Sequence, residues 1–263
     1  MFQTYAEAMD WILSQLPMFT RIGATAYKPG IGNIVALCEA LGNPHLKYPI
    51  IHIAGTNGKG SSSHSIASVL QAAGYKTGLH TSPHLKKFNE RIRINGFEWD
   101  DEQILQFINT HQIIINVIKP SYFEISVAMA FYAFAKENVD IAVIETGLGG
   151  RLDSTNIVNP LVSLITNIGW DHTDLLGDTL PKIAAEKAGI IKPYVPAIIS
   201  KYQEECAPVF INKAESVNAP LAFAKDHLNV KELSNTGLEV TYGVNWSNGS
   251  RMVINSDLTG SYQ

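Results

Sequence analysis

Short apolar runs recur at residues 51–54, 77–80, 141–145, 161–166 and 197–200, with helical periodicity between most of them. That alternation predicts a mostly parallel sheet covered by helices on both faces. Residues 123–136 are apolar nearly all round, through Ile125, Val127, Ala128, Met129, Ala130, Phe131, Tyr132 and Phe134. Such a segment reads as a buried helix whose aromatics belong to the core. A second helix opens at Ser61, and Ile66, Val69, Leu70 and Ala73 fall at the spacing of one inward face. From residue 238 the texture changes: 238–242 and 251–254 alternate around Asn248-Gly249, a favoured hairpin turn, so a small antiparallel element closes the chain. No internal repeat or linker breaks the sequence.

Composition narrows the class. A chain of 263 residues buries roughly three quarters of its unfolded surface and needs no disulfide or metal to complete a core. Charged residues are 17% and hydrophobic ones 46%, with no low-complexity tract, which excludes a disordered chain. The two cysteines, Cys38 and Cys206, lie far apart and outside any metal-ligand spacing, as in a reducing compartment. The first residues are not a signal peptide, and the apolar runs are too short to span a bilayer, so the expected location is the cytoplasm. A net charge of −4 argues against a nucleic-acid footprint, and an anionic substrate must therefore meet a local positive site.

Such a site is present. Residues 49–61 read P-I-I-H-I-A-G-T-N-G-K-G-S, an apolar strand running into a loop with glycines at 55, 58 and 60 and a lysine at 59. Glycines let backbone N–H groups converge on an anion, Lys59 adds a point charge, and the following helix points its positive end at the loop. The generic pattern G-x-x-x-x-G-K-[ST] is missed at Ile53 and Gly60. The fold class expected is α/β, a P-loop NTPase-like, mostly parallel sheet flanked by helices, with the small antiparallel element at the C-terminal end.

Two further constellations sit at strand ends. In V-I-E-T-G-L-G-G-R-L-D-S-T-N, Glu145 ends a strand and is placed to hold magnesium beside a γ-phosphate; the competing reading is a capping or salt-bridging carboxylate. After the next strand, Asp171, His172 and Asp174 crowd together, and His172 reads equally as a metal ligand, an orienting base or a solvated loop side chain. Beyond it, Thr179 and Pro181 start a helix that ends near Gly189, with Lys187 in its last turn, where a lysine ordinarily offsets the helix dipole.

Six blocks together resemble the folylpolyglutamate synthases and bifunctional dihydrofolate synthases of the Mur ligase superfamily. They are H-I-A-G-T-N-G-K-G-S, including the glycine after the lysine, T-S-P-H-L at 81–85, E-R-I-R-I-N-G at 90–96, the glutamate block at 143–156, W-D-H at 170–172 and E-K-A-G-I-I-K at 186–192. The resemblance implies an ATP-dependent amide ligase: a carboxylate of dihydropteroate, or the γ-carboxylate of a folate, attacks the γ-phosphate, and the amine of L-glutamate then displaces phosphate from the acyl phosphate. The competing readings are a Mur-type ligase acting on a UDP-linked cell-wall precursor and a non-catalytic nucleotide-binding module.

Carried over residue by residue, the resemblance assigns ATP phosphates to Gly55, Thr56, Asn57, Gly58, Lys59, Gly60 and Ser61. It assigns one magnesium ion to Ser82 and Glu145 and a second to His172 and Lys187, the lysine being carbamylated, since a free ammonium is no metal ligand at neutral pH. Lys59, Glu145, His172 and Lys187 would be the catalytic set. The pterin end of the substrate would meet Tyr27, Lys28, Pro29 and Gly30, then Ser121, Tyr122, Phe123 and Glu124, then Leu152, Asp153 and Ser154. The expectation is one Mur-ligase-type ATP-binding domain over 1–263, small-molecule partners, no nucleic acid or membrane, and a glutamate-binding C-terminal α/β domain lying outside this chain.

Overall fold

The computed structural model describes residues 1–15 and 30–259. Eight strands form one sheet: β1 (Ile50–Ala54), β2 (Thr77–His80), β3 (Ile92–Ile94), β4 (Phe97–Glu98), β5 (Ile141–Glu145), β6 (Val162–Ile165), β7 (Ala197–Ile199) and β8 (Leu221–Phe223). Their order is β4-β3-β2-β5-β1-β6-β7-β8. The six from β2 to β8 run parallel, and β3 and β4 add an antiparallel edge. Nine α-helices are described: α1 (Tyr5–Gln15), α2 (Gly32–Ala40), α3 (Lys59–Ala72), α4 (Asp101–Ile118), α5 (Tyr122–Lys136), α6 (Thr173–Leu176), α7 (Leu180–Lys187), α8 (Ala207–Ser216) and α9 (Ala224–His227).

Alternation along the strands sends side chains to two different layers. On one face Ile50, Ala142 and Ile144 pack on α5, which is enclosed in turn by buried residues of α1, α2 and α4. This is the fully apolar helix the sequence predicts, and it starts at Tyr122. Gly78 in β2 seats it closely, because a Cβ there would lie 2.8 Å from the Phe134 ring. Further along the same face, Ala54, Ile165, Ala197 and Ile199 pack with Ile183 and Ala184 of α7 and Phe210 of α8. The opposite face carries α3 over Ile53, Leu79 and Val143. Coverage of that face lapses at β7, where Ile198 is 38% exposed between two buried neighbours.

The phase of α3 differs from the expected one. It begins at Lys59, and its inward residues are Ser63, Ile66, Ala67 and Leu70, while Val69 and Ala73 face outward. The small side chains Ser63 and Ala67 do not score as a hydrophobic stripe, yet they let the helix lie close on the sheet. The closing hairpin is β10 (Val240–Trp246) with β11 (Arg251–Ser256), as expected, and β9 (Leu228–Asn235) pairs with its other side to make a three-stranded sheet. Nearly every residue of β9 is exposed, so it lacks the alternation that would mark it in the sequence.

One close crossing brings α7 to the rest of the fold. A Cβ at Gly150 would lie 2.8 Å from the carbonyl oxygens of Glu186 and Lys187, and one at Gly189 would lie 2.3 Å from Arg151 Cα. The Arg151 N–H donates to the Glu186 carbonyl across this contact at 2.8 Å. Backbone meets backbone, and no side chain can yield. Gly189→Ala is expected to lower stability by about 2 kcal/mol or more, seen as a lower denaturant midpoint, whereas Gly32→Ala, with nothing within 4 Å of the added Cβ, leaves the midpoint unchanged or slightly higher.

Candidate active site

The strand order reverses at β1. The chain leaves β1 through residues 55–58 and α3 to β2, passing over β5, while β6 lies on the other side. Open parallel sheets bind ligands at such a switch point, outside the carboxyl ends of the strands. Register makes those ends level: Ile53 pairs with Glu145 and Leu164, and Ala54 with Ile165.

The loop between β1 and α3 is braced by the segment after β6. Thr56 N–H donates to the Asn167 carbonyl and Asn57 N–H to Asn167 Oδ1, both at 2.9 Å. Thr166 Oγ1 donates to the Asn57 carbonyl at 2.6 Å, and Gly169 N–H to Thr56 Oγ1 at 2.9 Å. Gly55, at φ 150°, sits so close that a Cβ would fall 1.8 Å from Thr166 Oγ1. Gly58, at φ 78°, caps α3 without a side-chain acceptor. The first amides of a helix have no intrahelical acceptor, so the N–H groups of Lys59, Gly60 and Ser61 are available at that end. Lys59 Nζ folds back onto the carbonyls of Gly55 at 3.0 Å and Thr56 at 3.2 Å.

Glu145 faces this loop from β5. It is buried, its Oε2 has no hydrogen-bond partner among the described residues, and a Cβ on Gly60 would sit 3.8 Å from that oxygen. Burial pushes its pKa up to about 7, against the pull of Lys59, the Ser82 N–H and Arg91, while Asp153 adds to the rise. A buried carboxylate oxygen with no donor is what a hard cation requires, and Ser82 stands beside it, so these residues fit one magnesium ion. A cavity of about 410 Å³ opens here, lined by the loop, His64, Thr81, Ser82, Pro83, Leu85, Glu90, Arg93 and Glu145. Glu90 ties its rim by accepting from the N–H groups of Leu85, Lys86 and Lys87, which holds its pKa down at about 2.

Lys187 does not serve the dipole of its own helix. It is buried, and its Nζ donates to the Gly55 carbonyl at 2.9 Å. Burial lowers its pKa to about 8, helped by the charge of Lys59 and opposed by Asp171 and Asp153. His172 is in a left-handed backbone conformation, with Nε2 3.5 Å from Asp171 Oδ1. Among the described residues no cluster of three or more His, Cys, Asp or Glu side chains could hold a metal ion. The structure thus gathers Lys59, Ser82, Glu145 and Lys187 around the loop, and Asp171, next to His172 in the chain, acts electrostatically on Lys187.

Most of the residues expected at the pterin end are described, and their contacts are internal to the fold. Tyr27, Lys28 and Pro29 lie outside the described residues, and Gly30 is exposed at φ 130°. Ser121 and Glu124 cap α5 reciprocally, the Glu124 N–H donating to Ser121 Oγ and the Ser121 N–H to Glu124 Oε2. Tyr122 is buried, and the Phe123 ring covers Gly147, where a Cβ would meet it at 2.4 Å. Asp153 accepts from the N–H groups of Gly147, Leu148 and Thr155, which fixes the glycine loop from within, between half-buried Leu152 and Ser154. Thr166 and Asn167 were not singled out by sequence reasoning, although a Thr-Asn pair directly after an apolar strand is a legible signal for side chains at the ligand end of a sheet.

A glycine loop at the switch point of a parallel sheet, with an acidic residue on the adjoining strand, defines a nucleotide-phosphate-binding domain of the P-loop type. Residues 53–263 match the Mur ligase middle domain. A dihydrofolate synthase/folylpolyglutamate synthase of Bacillus subtilis (strain 168) is 42% identical over 233 residues, 86% of this chain and 53% of that protein. A folylpolyglutamate synthase of Lacticaseibacillus casei is 37% identical over 242 residues, 88% of this chain and 55% of that protein. Among solved structures, the Thermotoga maritima folylpolyglutamate synthase superposes with a TM-score of 0.85 at 36% identity, over 98% of this chain and 58% of its own. An FPGS–AMPPCP–folate complex superposes with a TM-score of 0.90 at 32% identity, over 99% of this chain and 63% of its own. The chain belongs to the Mur ligase superfamily, in its folylpolyglutamate synthase and dihydrofolate synthase branch. It spans about half the length of the curated relatives it matches.

The raised proton affinity of Glu145 makes it a liability to the ligand-free fold. A carboxyl whose pKa rises from 4.5 to about 7 on folding favours the folded state while protonated, and that contribution is lost as pH climbs through 7. Glu145→Gln is therefore expected to be more stable than wild type by about 2 kcal/mol at pH 8 and nearly equal to it at pH 4.5, as read from denaturant unfolding at the two pH values.

Proposed function

We propose that this chain is the ATP-binding, acid-activating part of an ADP-forming amide ligase that joins L-glutamate to dihydropteroate or to the γ-carboxylate of a folate. The observation that carries it is the meeting of Lys59, Lys187 and the unpartnered oxygen of Glu145 at one glycine loop. Family membership and a neighbour solved with AMPPCP and folate support it.

The amides of Lys59, Gly60 and Ser61 receive the phosphate oxygens, and Lys59 exchanges the loop carbonyls for the β- and γ-phosphates. The substrate carboxylate attacks the γ-phosphorus, the bond to the ADP oxygen breaks, and an acyl phosphate forms; the glutamate amine then attacks the acyl carbon and phosphate leaves. Magnesium at Ser82 and Glu145, when bound, supplies neutralisation of phosphate charge. A second ion is assigned to His172 and a carbamylated Lys187. The buried amine of Lys187, with its pKa brought to about 8, carries a sizeable neutral fraction at neutral pH, and the neutral form is the one that adds carbon dioxide. Tyr27 to Gly30, Ser121 to Glu124 and Leu152 to Ser154 are assigned to the pterin side; among the described ones, Asp153 is bonded internally and Ser121 and Glu124 cap α5. A glutamate-binding α/β domain outside these 263 residues completes the site. We place the protein in the cytoplasm: Cys38 and Cys206 are free, buried thiols, and no described helix is long and apolar enough to cross a membrane.

Full-length gene product supplied with ATP, magnesium and L-glutamate is expected to release phosphate only when dihydropteroate or a folate is added; release at background levels contradicts the assignment. Lys59→Ala is expected to cut that rate by about 100-fold or more while leaving the melting temperature almost unchanged, since its bonds go to its own loop. Intact-mass spectra at neutral pH in bicarbonate are expected to show an added carbon dioxide on Lys187 that Lys187→Met lacks.

A further inference from the structure

The described proton and phosphate chemistry leaves one buried cation unused. Arg91 precedes β3 and is only 8% exposed. Its guanidinium lies over the Tyr122 ring, 5.4 Å from the centroid. Its Nε donates to His84 Nδ1 at 2.7 Å, and its carbonyl accepts from His80 Nδ1 at 2.9 Å. The terminal amino groups have no hydrogen-bond or ion-pair partner among the described residues. Burial lowers its pKa, against the nearby Tyr122 and Glu145, and no anion among the described residues bonds the fork directly, a setting that suits an incoming one.

The surroundings say which anion. Arg91 sits where three elements converge: the segment 81–90 that lines the phosphate cavity, the first turn of α5 through Tyr122, and the carboxyl end of β5 through Glu145, whose proton affinity its charge lowers. It therefore stands between the pterin side and the phosphate side. His84 accepts at Nδ1 and so holds the neutral tautomer, which fixes the guanidinium plane together with the Tyr122 ring. A fixed planar fork with free terminal donors is matched to a carboxylate.

We propose that Arg91 anchors the carboxylate of the acid substrate, holding one oxygen while the other is presented to the γ-phosphate of ATP. This rests on the ligase reading above and deepens it. His84 and Tyr122 are positioning residues for the anchor, and the T-S-P-H-L block then serves two ends: Ser82 toward the metal and His84 toward Arg91.

The test is equilibrium binding to the AMPPCP-saturated chain of pteroate and folate, each compared with the carboxamide made from its terminal (for folate, γ) carboxyl. The acid is expected to bind about tenfold or more tightly than the amide. Arg91→Gln is expected to erase that preference while AMPPCP affinity stays within about twofold of wild type. Equal binding of acid and amide by the wild-type chain overturns the anchor without any variant, and so does a folded Arg91→Gln that keeps the preference. Should Arg91→Gln not fold, Arg91→Lys keeps the charge and loses the fork: a reduced preference supports the anchor and an undiminished one overturns it. If wild type binds AMPPCP but neither the acids nor the amides, the folate reading itself fails and the anchor falls with it.

Discussion

Two lysine ammonium groups share one carbonyl oxygen, that of Gly55, with Lys59 at 3.0 Å and Lys187 at 2.9 Å. Like charges brought this close repel strongly where water is excluded, and the depressed pKa of Lys187 registers that repulsion on top of its burial. The arrangement holds because both sides are fixed from elsewhere. Gly55 is pressed against Thr166 with no room for a Cβ, and Lys187 arrives on a helix locked to the glycine loop by the Gly150 and Gly189 backbone contacts. An incoming polyanion relieves the repulsion, and the amides at the start of α3 are already turned toward it.

The same logic extends to the acidic side. Glu145 and Arg91 are both buried near the loop, and neither has a direct ion-pair partner among the described residues. Each is a cost to the empty fold that ligand, metal or substrate offsets by linkage. Stability therefore comes from elsewhere, above all from the enclosure of α5 by α1, α2 and α4. That division lets a rigid scaffold hold an unsatisfied site at the ends of β1, β2, β5 and β6.

Much of this was legible in the sequence because parallel strands buried on both faces read as continuous apolar runs. The runs at 77–80 and 141–145 became β2 and β5 with the same boundaries, and Glu145 was placed by its position at a strand end. The glycine loop was legible from its chemistry despite missing the generic pattern. What stayed hidden depends on approach between distant segments. By spacing alone Lys187 reads as an ordinary helix C-terminal lysine; the family resemblance puts it at the site, and the packing of α7 carries its Nζ to a carbonyl 132 residues away. The brace from Thr166 and Asn167 and the stacking of Arg91 on Tyr122 are likewise contacts that no local period encodes. The phase of α3 was misjudged because its inward face uses Ser63 and Ala67, whose value is small size rather than hydrophobicity.

The central claim is that the loop at residues 55–61, with its two lysines, is built for the triphosphate of a nucleotide. Equilibrium titration of the chain with AMPPCP and with AMP, in magnesium, tests it most directly. Binding of AMPPCP about 100-fold or more tightly than AMP is the predicted result. Equal binding of the two, or a preference for AMP, would contradict the account, since the nucleoside and not the phosphates would then be what the site recognises.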